Sequence, residues 1–412
     1  MSFSIFCCVV LSMKAIRSPF FWVSFAMCAG VMSTALISPL YGIYKSEWLL
    51  QASDISVIYV VYMAGALSAL LFLGQLSDRI GFRRVMQLSL VLVFLGTGLT
   101  MLAWDTLSLN LARFIVGVAS SLMTTSASVG LRQLATGAHP SRAASMSSVL
   151  IAFGFGLGPL VGGVIGQWLP NPLITAYLPT MALSAIGFFA LQRLDLPPHD
   201  RVVIPGKPAS RAWLPKLIWS EREHSLAFIL TNACAFLAFG VFGLYASMSP
   251  LFLEQMIDWK GPFISGISIA VILFLSSAAQ LMTRRLPLHW CGTFGLLALA
   301  LCCGLLLLNL DQKSPWILAA GLLITAFGHG MTLLSGINMV GRIAQPHNHA
   351  GLLSTYLVLG YIGSMLPVLG VGWIADHWGL HLAVSIFCYG VIALAVLTAM
   401  MFFRHPHMQR VS

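Results

Sequence analysis

Gly74-Gln75-Leu76-Ser77-Asp78-Arg79-Ile80-Gly81-Phe82-Arg83-Arg84 closes one long apolar run, near 55–77, and opens the next, near 85–104. Four charges fall within these eleven residues, and the runs on either side carry almost none. About 20 apolar residues are needed for a helix to cross the hydrocarbon of a bilayer. The stretch therefore reads as a tight polar turn between two membrane-crossing helices. Gly81 permits the turn, and Gly74 permits a close helix approach. Asp78 is unusual: an acid at the C-terminal end of a helix is disfavoured by the helix dipole. It needs a cation or the N-terminus of another helix as partner.

The rest of the chain repeats this pattern. Of 412 residues, 58% are apolar and 8% are charged, against about 25% charged in soluble chains. So few charges cannot cover a soluble surface, so the outer surface must face lipid. Twelve apolar runs are long enough to cross, near 20–42, 55–77, 85–104, 108–131, 144–169, 172–192, 226–250, 261–282, 290–309, 315–339, 350–373 and 380–403. The longest polar segment, 192–224, carries five prolines and six basic residues. It divides the chain into a six-helix unit over 13–192, a loop over 193–224 and a second six-helix unit over 225–404. The first twelve residues make a poor signal peptide, because no basic residue precedes their apolar stretch. Met13 would serve as an alternative start.

The net charge of +10 does not indicate nucleic acid. With the N-terminus in the cytoplasm, 18 of the 22 basic residues fall in cytoplasmic segments. That is the positive-inside bias, and it places both termini inside. The eight cysteines lie in or beside apolar runs without metal-ligand spacing, so they read as packing residues. Phosphate-binding, zinc-protease and nucleophile-elbow motifs are lacking. No cofactor, metal or catalytic residue is expected, and the chain is not expected to be an enzyme.

Three motifs carry the functional reading. The loop around Asp78 resembles the signature loop of the major facilitator superfamily, Gly-x-Leu-(Ser/Ala)-Asp-Arg-x-Gly followed by basic residues, with Phe82 where a basic residue is usual. The resemblance implies an all-α membrane fold of twelve helices in two pseudo-symmetric bundles. It also implies a gating role for Gly74, Asp78, Arg79, Gly81, Arg83 and Arg84. In the fifth run, Gly154, Gly158 and Gly162 share one helix face, and with Pro159 and Gly163 they resemble the fifth-helix motif of the superfamily's antiporters, which mostly export. Such a glycine face invites a close helix neighbour, and Pro159 removes one backbone donor. Arg113 with Gly117 resembles the fourth-helix Arg-x-x-x-Gly core, whose arginine is implicated in proton or substrate handling. On its own chemistry Arg113 either faces a cavity or snorkels to the headgroups.

None of the twelve acids falls in mid-membrane. Proton coupling would then rest on Arg113, on Asp54 at the edge of the second run, or on His329 deep in the tenth, whose titration range suits proton exchange. A polar but uncharged cavity is expected from Ser33, Thr124, Asn232, Tyr245, Asn338 and Tyr361. Such a set suits a neutral or amphipathic solute and not a strongly cationic one. The expected partners are a small-molecule substrate, protons and the lipid bilayer, with no nucleic acid, and the chain is expected to act as a monomer. The reading is a secondary transporter of the bacterial inner membrane, with proton-coupled efflux leading. An uptake permease for a nutrient or vitamin is the alternative. A sensor that kept the fold without transport ranks lower, because the gating loop is intact.

Overall fold

A computed structural model describes residues 18–134, 140–194, 217–256, 261–345 and 348–409. The first residues of the 13–192 unit and most of the 193–224 loop lie outside them. Among the described residues the chain is helical with no strand. We label the long helices α1 (Pro19–Met32), α2 (Ala52–Leu73), α3 (Phe82–Met101), α4 (Thr106–Leu134), α5 (Pro140–Trp168), α6 (Leu178–Arg193), α7 (Ser225–Met256), α8 (Pro262–Thr283), α9 (Leu288–Gln312), α10 (Pro315–Ile343), α11 (His349–Trp378) and α12 (Leu380–Arg404).

Among the described residues, eleven stretches are long and apolar enough to cross a bilayer. The first run differs from its expected course over 20–42. Its helix stops after 14 residues, about 21 Å at 1.5 Å per residue and short of a hydrocarbon core of about 30 Å. Local chemistry explains the stop. The Ser33 and Thr34 hydroxyls donate back to the carbonyls of Gly30 and Val31, at 3.1 and 2.7 Å, which competes with helix propagation. Pro39 then removes a donor and crowds the carbonyl four residues earlier. The chain passes through turns over 33–37 and a single 3-10 turn, Ser38–Leu40, into a short helix, Tyr41–Trp48.

Further boundaries move for similar reasons. The second run ends at Leu73, and Leu76–Ile80 forms its own short helix. Gly81 takes a φ of +86°, a conformation that favours glycine, and turns the chain into α3. The sixth run is divided into Pro172–Thr175 and α6. The seventh continues past Pro250 to Met256.

Helices α1–α6 pack chiefly on one another, as do α7–α12, except that α5 and α8 each pack most heavily on the other. Large apolar side chains such as Leu111, Phe189, Leu301 and Leu397 point outward and are more than half exposed, as a lipid-facing surface requires. The two groups meet along two seams, α2 against α11 and α5 against α8. The Ser38–Leu40 turn and the Tyr41–Trp48 helix lean on α7 at one end of the bundle.

Candidate functional site

The α5–α8 seam is built from small residues. A side-chain carbon at Gly158 would stand 2.2 Å from the Met32 carbonyl oxygen, and one at Gly162 the same distance from that of Leu36. Gly154 meets Val31 and Cys28 in the same way. The glycine face read from the sequence thus lies against α1 and its broken segment. Gly163 points elsewhere, onto Pro262, Phe263 and Gly266 at the start of α8, and the Pro159 carbonyl abuts Gly266. One helix therefore holds the break in α1 on one side and the opposite group of helices on the other.

Both seams are fastened near the end of the bundle that carries Gln51. The backbone N–H groups of Ala52 and Ser53 donate to the two carboxylate oxygens of Asp376, at 2.8 and 3.1 Å. A carboxylate from the last turn of α11 thus caps the N-terminus of α2, where the helix dipole and unpaired donors favour an anion. Below it the Ser56 hydroxyl donates to the Val368 carbonyl at 3.0 Å, and the Tyr59 and Ser364 hydroxyls bond at 2.7 Å. On the other seam the Phe263 N–H reaches Gln167 Oε1 at 3.5 Å, with the Trp168 and Phe263 rings 5.0 Å apart. A cavity of about 710 Å³ bordered by Lys45, Gln51 and Asp376 lies beside this fastening.

The opposite end carries the signature loop. Asp78 is exposed, and no hydrogen bond or ion pair engages its carboxylate among the described residues. Arg79 is also exposed and has its own partner. Arg83 donates to the Gln192 carbonyl, tying the start of α3 to the end of α6, while Arg84 stays exposed. Phe82 fills the space over Gly130 of α4 and is 3% exposed. That slot accounts for an aromatic residue where a basic one is usual. Gly74 lies close to the Leu70 carbonyl of its own helix.

Arg113 sits at the heart of the first group. It is 2% exposed, so it does not reach the headgroups. Gly117, one turn on, rests on the Tyr62 carbonyl, where a side-chain carbon would stand 2.1 Å away. This close crossing of α4 on α2 places the Arg113 guanidinium 4.7 Å above the Tyr62 ring. Arg113 Nη2 donates to the Thr34 carbonyl, in the break of α1, at 2.7 Å. An arginine in mid-membrane costs about 2.5–3.5 kcal/mol on insertion scales. A charged hydrogen bond returns about 1.5–3 kcal/mol and the ring about 0.5–2. Tyr41, Tyr44 and Tyr177 surround the same charge. Their signal in the sequence was the spacing of 41/44 and 59/62, each pair three apart on one helix face.

The remaining candidates are distributed unequally. Tyr361 on α11 lies near Tyr62 and against Phe239, with ring centroids 5.7 Å apart. Ser33 belongs to the break in α1. Asn232 on α7 is buried, and neither atom of its amide has a partner. His329 is buried, with Nδ1 2.8 Å from the Ser276 hydroxyl and its ring 5.5 Å from that of Phe242. Thr124 bonds its own helix at Ser120 and Ser121. Tyr245 packs edge-on against Phe252, and Asn338 is exposed on α10. The Asp54 carboxylate accepts from the Gln51 N–H at 2.9 Å and caps its own helix. Asp376, Tyr41 and Tyr62 were not singled out by sequence reasoning. Asp376 read as one of many acids at helix ends, because its partner lies 324 residues away.

Such a bundle, with two seams, a broken first helix and an exposed charged loop, defines a polytopic membrane transporter. The chain belongs to the Major Facilitator Superfamily, whose sequence profile matches residues 23–332. Among curated proteins it is 25% identical over 370 residues to a triacylglyceride transporter of Mycobacteroides abscessus, covering 86% of this chain and 62% of that one. The chain thus spans about three-fifths of that relative's length. It is 30% identical over 169 residues to an inner membrane transport protein of Escherichia coli, covering 40% of this chain and 38% of the other. Among solved structures, a bacterial homolog of the human lysosomal transporter Spinster, inward-facing and occupied, superposes with a TM-score of 0.75. It shares 14% identity over 95% of this chain and 98% of that one. A peptide transporter gives the same TM-score at 13% identity, over 97% and 96% of the two chains.

Proposed function

We propose that this chain is a secondary transporter that moves a small amphipathic organic solute across the bacterial inner membrane by alternating access, coupled to protons and directed outward. The broken element from Pro19 to Trp48 makes the first of twelve crossings, and both termini lie in the cytoplasm. The Gln51 end then faces outside and the Asp78 end faces inside. Residues 13–192 and 225–404 act as the two rocking bodies, joined by the 193–224 loop.

The observation that carries this reading is the contrast between the two ends. The outer end is fastened across both seams by Asp376 and Gln167, while Asp78 at the inner end is unengaged. In the opposite state Asp78 would find the helix N-terminus that its position demands, and the Asp376 contact would open. In this reading Arg113 and His329 link occupancy and protonation to that exchange; the bond of Arg113 to the break in α1 and that of His329 to α8 support it. The relatives named as triacylglyceride transporters favour a cargo with a large apolar part.

The test uses inverted membrane vesicles acidified inside by respiration, with a fluorescent reporter of lumenal pH. Dyes, antibiotics, fatty acids, lysolipids, sugars and vitamins are added in turn. We expect at least one amphipathic compound to release lumenal protons when the chain is present and to fail with Asp78→Asn. Release by none of them, with saturable uptake of one compound into whole cells, would replace efflux with import.

A further inference from the structure

Arg113 has more donors than the protein uses. A guanidinium carries five N–H groups and no acceptor, and the Thr34 carbonyl takes one of them. Its Nε is buried without a partner. Beside it the buried Tyr41 hydroxyl faces the same guanidinium, close enough to interact with it but outside closed hydrogen-bond geometry to any described residue. Among the described residues no carboxylate pairs with Arg113. Buried polar groups are nearly always satisfied, so each exception calls for an explanation. Here a cation converges with a hydroxyl that can accept from it and still has a proton to donate, so the surplus is of donors and what is missing is an acceptor with negative charge. A cationic or purely apolar solute would leave both unsatisfied.

We infer that Arg113 and Tyr41 form the recognition site for an acidic headgroup, a carboxylate or a phosphate, and that the transported solute is an anionic amphiphile. This rests on the transport reading above and narrows its substrate class. The guanidinium fork matches either group through parallel hydrogen bonds. The apolar part of the solute lies against the rings of Tyr62, Tyr361 and Phe239. Those rings belong to α2, α11 and α7, so a solute held there touches both groups of helices. The headgroup also competes with the Thr34 carbonyl for Arg113. Binding thereby loosens a bond that fixes the break in α1, which gives occupancy a mechanical consequence.

The test measures equilibrium binding to the full chain in nanodiscs by quenching of intrinsic tryptophan fluorescence, with no proton gradient. The probes share a twelve-carbon tail: laurate, dodecyl phosphate, dodecanol and dodecyltrimethylammonium. Inorganic phosphate and acetate test the free anions. We expect laurate or dodecyl phosphate to bind about 10- to 100-fold more tightly than dodecanol, the size of one hydrogen bond to a charged group. Arg113→Gln should erase that preference while leaving dodecanol affinity unchanged. Tyr41→Phe, which keeps the cation and removes only the hydroxyl, should weaken the anionic probes alone. It supplies the reading if Arg113→Gln fails to fold. Equal binding of dodecanol or the cationic probe to the native chain overturns the inference, as does anionic binding indifferent to both substitutions. Inorganic phosphate binding as tightly as dodecyl phosphate would overturn the amphiphile and leave a free anion as ligand. Selective anion binding without proton release in the vesicle assay would count against proton-coupled efflux alone.

Discussion

Replacing Asp376 by asparagine tests the fastening at the Gln51 end, the outer end in the proposed orientation. The carboxylate accepts from two backbone donors, at 2.8 and 3.1 Å, on the first turn of α2. Asparagine keeps one acceptor oxygen, turns the other position into a donor, and removes the charge that the helix N-terminus favours. A hydrogen bond to a charged group contributes about 1.5–3 kcal/mol, and a neutral one about 0.5–1.5. Asp376 is exposed, so screening roughly halves the ionic part, and the net loss is about 1–2 kcal/mol. That shifts the balance toward an arrangement open at the Gln51 end by about 5- to 30-fold. The assay places spin labels at Glu47→Cys and Leu382→Cys, both exposed and in opposite groups of helices, in a background without the eight native cysteines. The native chain should give one short distance, and Asp376→Asn should add a longer population. Raising the salt from 0.1 to 1 M shortens the Debye length from about 10 to about 3 Å and should shrink the difference. An unchanged distribution would refute the reasoning. An equal shift in Asp376→Glu, which keeps the charge, would assign the contact to shape instead.

Further outcomes follow from the same geometry. Asp78→Asn should leave membrane insertion intact and slow transport sharply, because it removes the acid proposed to fasten the signature-loop end in the opposite access state; full activity in the vesicle assay would exclude the gating role. Gly158→Leu should lower the thermal midpoint in detergent, at a cost of about 1–3 kcal/mol or more for forcing a side chain onto the Met32 carbonyl. Gly304→Ala, which meets open space, should leave that midpoint unchanged. Phe82→Lys restores the residue usual in the signature loop, yet it should destabilise the chain by at least about 2 kcal/mol by emptying the slot over Gly130. His329→Leu should abolish transport driven by a proton gradient while sparing binding of laurate, whereas Asp54→Asn should change little beyond helix capping.

The bundle was legible because its causes are local or compositional. Run length and the scarcity of charge specify helices in lipid, and the signature loop names the family on a handful of residues around Asp78. The break in α1 was hidden because 20–42 carries no charge and is mostly apolar. Only the combination of Ser33, Thr34 and Pro39 marks it, and each is common in membrane helices. Gly154, Gly158 and Gly162 announced a close neighbour but not which one, since a period of four reports a face and not its partner. Phe82 read as a departure from the family until Gly130, 48 positions away in sequence, supplied the slot that it fills. Asp376 and Tyr41 escaped notice for the same reason: their roles are fixed by partners on distant helices.

The two fastenings also bear on why the seams work as a pair. Pro159 and Pro367 are 208 positions apart, and Gln167 and Asp376 are 209 apart. Each of the latter stands in the last turns of its helix and reaches the N-terminus of a helix in the opposite group. The repeat therefore places a capping side chain at the same point of both seams, one charged and one neutral. A rigid rocking motion must break both together, since the seams share the same two bodies. The Gln167 contact, at 3.5 Å and without charge, contributes little to holding them closed. The charged part of the fastening at the Gln51 end is then concentrated in one carboxylate, backed by the neutral Ser56–Val368 and Tyr59–Ser364 hydrogen bonds, and a few kcal/mol of differential affinity from a bound solute could offset it. Two charged clasps would deepen the closed state beyond that range, and two neutral ones would leave the Gln51 end unlatched when the site is empty.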